Sequence, residues 1–188
     1  MIGLLRYCHF ALPCSSWGRA NQLNGGTRSI LQPEGSSSPL EREALGNFQA
    51  ELVVDICILI SACHAFFTIE NPADSHFWRS KFFAKLKECC NIYVVDFCQC
   101  AYGLRLPGAP RGVFCRKSTR IASNDPRIAS LARRCPGVSV SHRHEYAWGS
   151  RKVRGKTIKL VAAAGAYPTE LCSTLARFVR TCLSDSEP

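Results

Sequence analysis

The 188-residue chain carries 24 Lys and Arg against 14 Asp and Glu, a formal net charge of +10, and is 46% apolar. Those values suit one domain, 1–188, with a real core and exclude a disordered chain; the charge excess favours a nucleic acid partner over a merely basic surface. Among the twelve cysteines, several fall on expected helix faces where a thiol acts as a small hydrophobe, and no secretory leader is expected. Free thiols in a reducing, intracellular setting, nucleus or nucleoid, are therefore expected. The longest apolar runs are too short to span a bilayer, so no membrane is expected.

In chain order, "LLRYCHFAL" predicts a short buried strand ending at Pro13. The polar, glycine-containing segment that follows, 17–38, is long for a loop, which marks function or disorder. Ser38, Pro39 and Glu41 form a capping-box signal. They open a long helix with Leu45, Phe48, Leu52, Ile56, Leu59 and Cys63 on its inner face. "AFFTIEN" predicts a second strand. Asp74 or Ser75 then caps a helix that turns Trp78, Phe82 and Leu86 inward. "NIYVVDF" is the clearest strand, and "YGLRLPGAPRG" is a loop. "TRIAS" is a weak fourth strand, and "DPRIASLARR" is a short helix. Residues 136–160 are basic and irregular, and Pro168 opens a last helix with Leu171, Leu175, Phe178 and Cys182 inward. Strands separated by helices predict an α/β fold with a mostly parallel sheet and flanking helices.

Two positions stand out chemically. Cys14 follows Pro13 at the carboxyl end of a predicted strand, where open α/β sheets bind ligands. Ser15, Ser16 and Arg19 surround it with donors and positive charge, which favours thiolate; the alternative is a structural thiol. Glu70 ends the second strand before Asn71 and Pro72, and an ill-solvated carboxyl there would have a raised pKa and serve as an acid. Its structural alternatives are a helix cap or a pair with Arg19. A nucleophilic thiol and an acid on adjacent strand ends suit cytosine chemistry. The thiolate adds at C6, C5 becomes nucleophilic, and a group at N3 stabilises the developing charge.

"ALPCSSW", "IENP" and "QCAYG…RKSTRIAS" resemble three ordered motifs of the DNA cytosine-5 methyltransferases. The resemblance implies a partial Rossmann-like methyltransferase sheet, S-adenosylmethionine as cofactor and DNA as partner. It implies Cys14 as nucleophile, Glu70 and Asn71 at the cytosine, and Arg116 and Arg120 orienting the thiol loop and holding DNA. "AYPTELCSTLARFV" is similar to the family's last motif, a proline-initiated helix beside the cofactor, so Pro13, Tyr167 and Pro168 would be cofactor contacts. Segment 17–38 would be the catalytic loop that closes over a flipped base. Arg19, Arg105, Arg111, Lys117, Arg143, Arg151, Lys152 and Arg154 would contact DNA, and the basic stretch from Arg143 to Lys159 would substitute for the target-recognition domain.

The chain departs from the family at Ser15–Trp17, where glutamine and then phenylalanine–serine are usual, and at Pro72, where valine is usual. "LRLPGAPRGVFC" widens the third block. The family's glycine-containing cofactor loop precedes its Pro–Cys motif by many residues, and the thirteen residues before Cys14 contain none. A second chain supplying that half is one expectation, and a truncated or degenerate relative is another. Three rival readings accompany this one. Cys98, Cys100, Cys115 and Cys135 could join His142 and His144 around zinc, but one residue between Cys98 and Cys100 is awkward for two ligands of one ion. No metal is therefore expected, and the histidines read as a polar surface loop. A basic module that binds nucleic acid without chemistry would use Tyr146 and Trp148 among the cations of 133–156. A thiol hydrolase lacks a histidine tied to Cys14 by any motif.

Overall fold

The computed structural model describes residues 5–184, without the side chains of Arg19 and Ala20. Leu4, in the first predicted strand run, and the Arg19 side chain therefore lie outside the described residues. The chain runs through β1 (Tyr7–Ala11), the short helices α1 (Cys14–Trp17) and α2 (Arg19–Leu23), and the long helix α3 (Glu41–Ala62). Next come β2 (Phe66–Pro72), a 3-10 turn at His76–Arg79, α4 (Lys81–Cys89) and β3 (Tyr93–Cys98). A 3-10 turn at Gln99–Tyr102, β4 (Val113–Cys115), β5 (Ser118–Ser123) and a 3-10 helix at Pro126–Leu131 follow. The chain ends in β6 (Arg143–Glu145), the pair β7 (Ser150–Val153) and β8 (Lys156–Lys159), α5 (Leu160–Ala163) and α6 (Thr169–Ser184).

The central sheet has four strands in the order β1-β2-β5-β3. β1 and β2 are parallel, but β5 runs antiparallel to both β2 and β3. The fold is thus α/β with a mixed sheet, which corrects the mostly parallel expectation. The "TRIAS" segment, the weakest strand signal, is a central strand. Its short polar side chains Thr119 and Ser123 are fully buried, because the sheet covers them on both sides and the Ser123 hydroxyl donates to the Phe67 carbonyl. The ladder rather than a hydrophobic run defines that strand.

Strand alternation divides the core in two. One face packs Phe67, Ile69 and Ala122 under α3 and α4, with Trp17, Phe77, Trp78, Phe82 and Leu86. The other packs Val95, Phe97 and Ile121 under α6 and the 126–131 helix, with Leu171 and Phe178. Ser75 accepts from the Phe77 N–H and Ser80 from the Phe83 N–H. The single predicted helix after β2 is therefore a 3-10 turn and a helix, each with its own serine cap.

The inner face of α3 is not the predicted one. Gly46, Ala50, Val54, Cys57 and Ile60 are buried. Leu45, Phe48, Leu52 and Leu59 are exposed, Phe48 at 62%. The helix is apolar on most of its circumference, so periodicity alone does not choose a face. Close approach chooses it: a Cβ on Gly46 would stand 2.3 Å from Ser16 Oγ. The helix also starts at Glu41, and Glu43 rather than Glu41 reaches back to the Leu40 N–H, 3.2 Å away. By length and composition this 22-residue helix, with mean hydropathy 1.5, is long and apolar enough to cross a membrane. Here it packs on β2 and α4.

The expected loop 17–38 is an ordered, packed segment. Arg28 is buried, stacks on the Trp17 ring at 3.6 Å, and donates to the Pro33 carbonyl, Asn47 Oδ1 and the Glu43 carbonyl. Glu43, also buried, accepts from Asn21, from the Thr27 N–H and hydroxyl, and from the Arg28 N–H. These bonds fasten the segment to the start of α3. Residues 136–160, expected to be irregular, hold β6 and the β7–β8 hairpin. The hairpin turns through Arg154 and Gly155, both at positive φ, as a tight two-residue turn requires.

Candidate active site at the ends of β1 and β2

Parallel pairing sets Ala11 beside Glu70, so the Pro13–Cys14 and Glu70–Asn71 steps leave neighbouring strand ends. Pro13, which lacks an N–H, ends the β1 pairing, and α1 starts at Cys14. The buried Asn71 side chain donates to the Leu12 carbonyl at 3.0 Å and ties the two ends together. Cys14 is exposed at the first turn beyond that tie.

Glu70 is 6% exposed. Burial pushes its carboxyl above the ordinary range, while the Lys117 ammonium and a hydrogen bond from the Tyr167 hydroxyl oppose the rise. Glu70 Oε1 and Asn71 Oδ1 are buried with no hydrogen-bond partner. Two unpartnered acceptors at a strand end are costly for folding alone, so they mark a place for a donor.

Glu70 ends a line of polar side chains on the α6 face. Tyr7 Oη lies 2.6 Å from Thr68 Oγ1, Thr68 Oγ1 lies 2.7 Å from His9 Nδ1, and His9 Nε2 lies 3.2 Å from Tyr167 Oη. Tyr7 and His9 are two apart on β1, as Thr68 and Glu70 are on β2, so alternation alone puts all four on one face. Burial lifts the Tyr7 phenol to about 12 and raises the Tyr167 phenol, and it lowers the His9 imidazole. His9 is thus kept neutral, with one donating and one accepting nitrogen. With Glu70 ionised, every bond in the line points toward it. With Glu70 protonated, every bond reverses.

The other predicted residues separate. Arg120 pairs with Asn71 across the ladder, on the face opposite Glu70, and binds Asp96 through two contacts of 2.7 Å beside Trp78. Arg116 is exposed near Tyr146 and lines a recess with Cys135 and His144. Antiparallel pairing puts Arg116 at the same sheet end as Glu70, but the contacts of the two arginines are with Tyr146 and with Asp96 and Trp78 rather than with Glu70 or Cys14. Lys117, expected on DNA, instead faces Glu70 and donates to the Ala164 carbonyl at 3.1 Å.

Tyr167 and Pro168 line a cleft of about 460 Å³ between Tyr102–Arg105 and Ala163–Glu170, whereas Pro13 lines a separate recess with Gln49 and Val53. The three expected cofactor contacts do not share a cavity. Glu170, the cleft's acidic side chain, is engaged by Arg133 at 2.5 Å. The described residues therefore do not fit S-adenosylmethionine as one cradle.

Among the expected DNA contacts, Arg105 donates to the Ala109 and Pro110 carbonyls, and Arg151 is held by Glu145 and the Pro107 carbonyl. Arg111, Arg143, Lys152 and Arg154 are exposed. His9, Tyr7 and Thr68 were missed as site residues; the signal that finds them is their spacing of two on strands that pair in register. Comparison with family models, curated proteins and solved structures gives no match for this chain.

Proposed function

We propose that the chain is a DNA cytosine-5 methyltransferase-like protein that contributes the nucleobase half of the reaction. The observation that carries this reading is the parallel register of β1 and β2. It sets an exposed thiol one turn beyond a buried carboxyl with an unpartnered oxygen. In this reading a flipped cytosine presents N3 to Glu70 and C6 to Cys14. The Cys14 thiolate forms a bond to C6, and the electron pair moves through the ring to N3, which takes the Glu70 proton. The line from Tyr7 to Tyr167 turns its hydrogen bonds toward Glu70 and stabilises the carboxylate that forms, until N3 gives the proton back. Asn71 holds the two strand ends at fixed separation.

In the family this chain resembles, S-adenosylmethionine supplies the methyl group. No step here runs through it, because Pro13, Tyr167 and Pro168 do not form one cradle. A second chain would bring the cofactor half. Left to itself, the adduct takes a proton from water at C5 and gives the original C5 hydrogen to the hydroxide so formed; N3 then returns its proton to Glu70 as the C6–sulfur bond breaks and the thiolate leaves. The chain alone is thus expected to exchange cytosine C5 hydrogen with solvent.

Duplex DNA incubated with the protein in D2O, digested and weighed as nucleosides, tests this. Deuterium in deoxycytidine that disappears with Cys14→Ala and falls with Glu70→Gln supports the reading. No exchange from a folded protein that binds the same DNA overturns it. That second result would favour the alternative, a basic module that binds nucleic acid without chemistry. One observation supports that alternative: the β7–β8 hairpin exposes Lys152, Arg154, Lys156 and Lys159 together.

A further inference from the structure

Away from the Glu70 centre, four metal-ligating side chains from distant parts of the chain converge. Cys100 lies on the 3-10 turn after β3, Cys135 follows the 126–131 helix, and His142 and His144 flank the start of β6. Their ligand atoms all lie within 4.8 Å of one another. Cys135 Sγ is 3.5 Å from His142 Nε2 and 3.3 Å from His144 Nε2, and the two Nε2 atoms are 3.1 Å apart.

The three separations among Cys135, His142 and His144 match one face of a small tetrahedron, with the Cys100 sulfur within 4.8 Å of each as its fourth corner. Zinc–sulfur bonds of ~2.3 Å and zinc–nitrogen bonds of ~2.05 Å give S···N edges of ~3.6 Å and N···N edges of ~3.3 Å. The observed edges agree to a few tenths of an ångström. Two sulfurs and two imidazole nitrogens in this geometry select zinc over oxygen-seeking cations.

The surroundings hold the ligands in place. The Gly137 N–H donates to Cys135 Sγ at 3.4 Å and orients the sulfur. The Phe114 ring stacks on His142 at 4.5 Å and 16°. β6 pairs with β4, which places His144 beside Phe114. The alternation of two residues puts both imidazoles on one side. His142 is buried, at 8% exposure, and Cys100 at 2%. The expectation of a polar surface loop for these histidines therefore does not hold. The spacing objection to Cys98 with Cys100 also falls away, because Cys98 is outside the group of four and Cys115 sits in a separate apolar cluster.

We propose that Cys100, Cys135, His142 and His144 bind one Zn²⁺ ion in a closed Cys2His2 site that fastens the segment 133–145 to the end of β3. Four protein ligands leave no open position, so the ion's role is structural. Binding releases the two thiol protons to solvent and forms two sulfur–zinc and two nitrogen–zinc bonds, with no change of oxidation state. The strands that pair within that segment are short, since β4 and β6 are three residues each.

The test uses the untagged full chain, produced with zinc in the medium and analysed for metal by mass spectrometry. About one zinc per chain is expected, falling to background in Cys135→Ser and His144→Ala and unchanged in Cys63→Ser, an exposed thiol outside the cluster. If those variants fail to fold, the wild-type chain stripped of metal is titrated with Co²⁺. The visible bands of tetrahedral cobalt with thiolate charge transfer are expected. Alkylation mapping should show Cys100 and Cys135 protected by zinc while Cys63 reacts. A folded wild-type chain that carries no zinc and gives no tetrahedral cobalt spectrum overturns the proposal. Neither result depends on whether Cys14 reacts with cytosine.

Discussion

Two buried carboxylates show how neighbours set a residue's behaviour. At Glu43, burial pushes the pKa up, but hydrogen bonds from Thr27, Asn21 and the Leu40 N–H outweigh it and bring the carboxyl to about 2. A pKa lowered by folding gives stability that is present above the ordinary carboxylate value of about 4.3 and is lost as pH falls toward 2. Glu43→Gln should therefore flatten the acid limb of stability, read as the urea midpoint against pH. At Glu70 burial wins and the pKa is raised. Its contribution has the opposite sign: stability falls as pH rises from the ordinary value to the raised one, and Glu70→Gln should remove that slope. Exchange at cytosine C5 should fall over the same rise, because the acid form is lost. Arg28, whose guanidinium burial pulls down to about 10 against Glu43 and Glu34, is the buried cation of the 17–38 segment. Arg28→Ala leaves its polar partners unpaired and should cost about 3 kcal/mol in chemical denaturation.

Helix α3 separates what patterning can say from what packing says. Its buried stripe begins with Gly46 and Ala50, and its exposed stripe carries Leu45, Phe48, Leu52 and Leu59. Gly46→Ala puts a methyl group 2.3 Å from Ser16 Oγ and 3.0 Å from an Arg28 guanidinium nitrogen. Such overpacking should cost about 1–3 kcal/mol. Leu52→Lys, at a position 48% exposed, should change stability by less than about 0.5 kcal/mol. The ordering of these two variants in thermal melts tests the face assignment, since the predicted inner face reverses it. The same helix holds the 17–38 segment through Glu43, which accepts from Asn21 and, at its carbonyl, from Arg28. Closing that segment over a base would break the Arg28 and Glu43 contacts, each of them buried.

Across the whole molecule, the charge of +10 is not spread evenly over its function. Arg120, Arg127 and Arg151 are held by Asp96, Asp125 and Glu145. The β7–β8 hairpin keeps Lys152, Arg154, Lys156 and Lys159 exposed. If that hairpin meets phosphate, replacing Lys152, Arg154 and Lys156 with glutamine should reduce the salt slope of DNA binding by about 2 to 3. Fluorescence anisotropy across a salt series measures it, and an unchanged slope would place the phosphate contacts elsewhere.

Much of this was legible in the sequence by itself. Pro13 and Pro72 end strands because they lack a donor, Ser75 caps because a hydroxyl meets a free N–H group, and α6 turns Leu171, Phe178 and Cys182 inward by its period. The placement of Cys14 and Glu70 at strand ends follows from the same local rules. What only tertiary structure decided depends on pairing between distant residues. The reversed direction of β5, the face of an all-round apolar α3, the separation of Glu70 from Arg120 and the convergence of Cys100, Cys135, His142 and His144 are of this kind. Local propensity acts over a few residues, whereas strand direction and ligand geometry are fixed by contacts tens of residues apart, and no short window of sequence carries them.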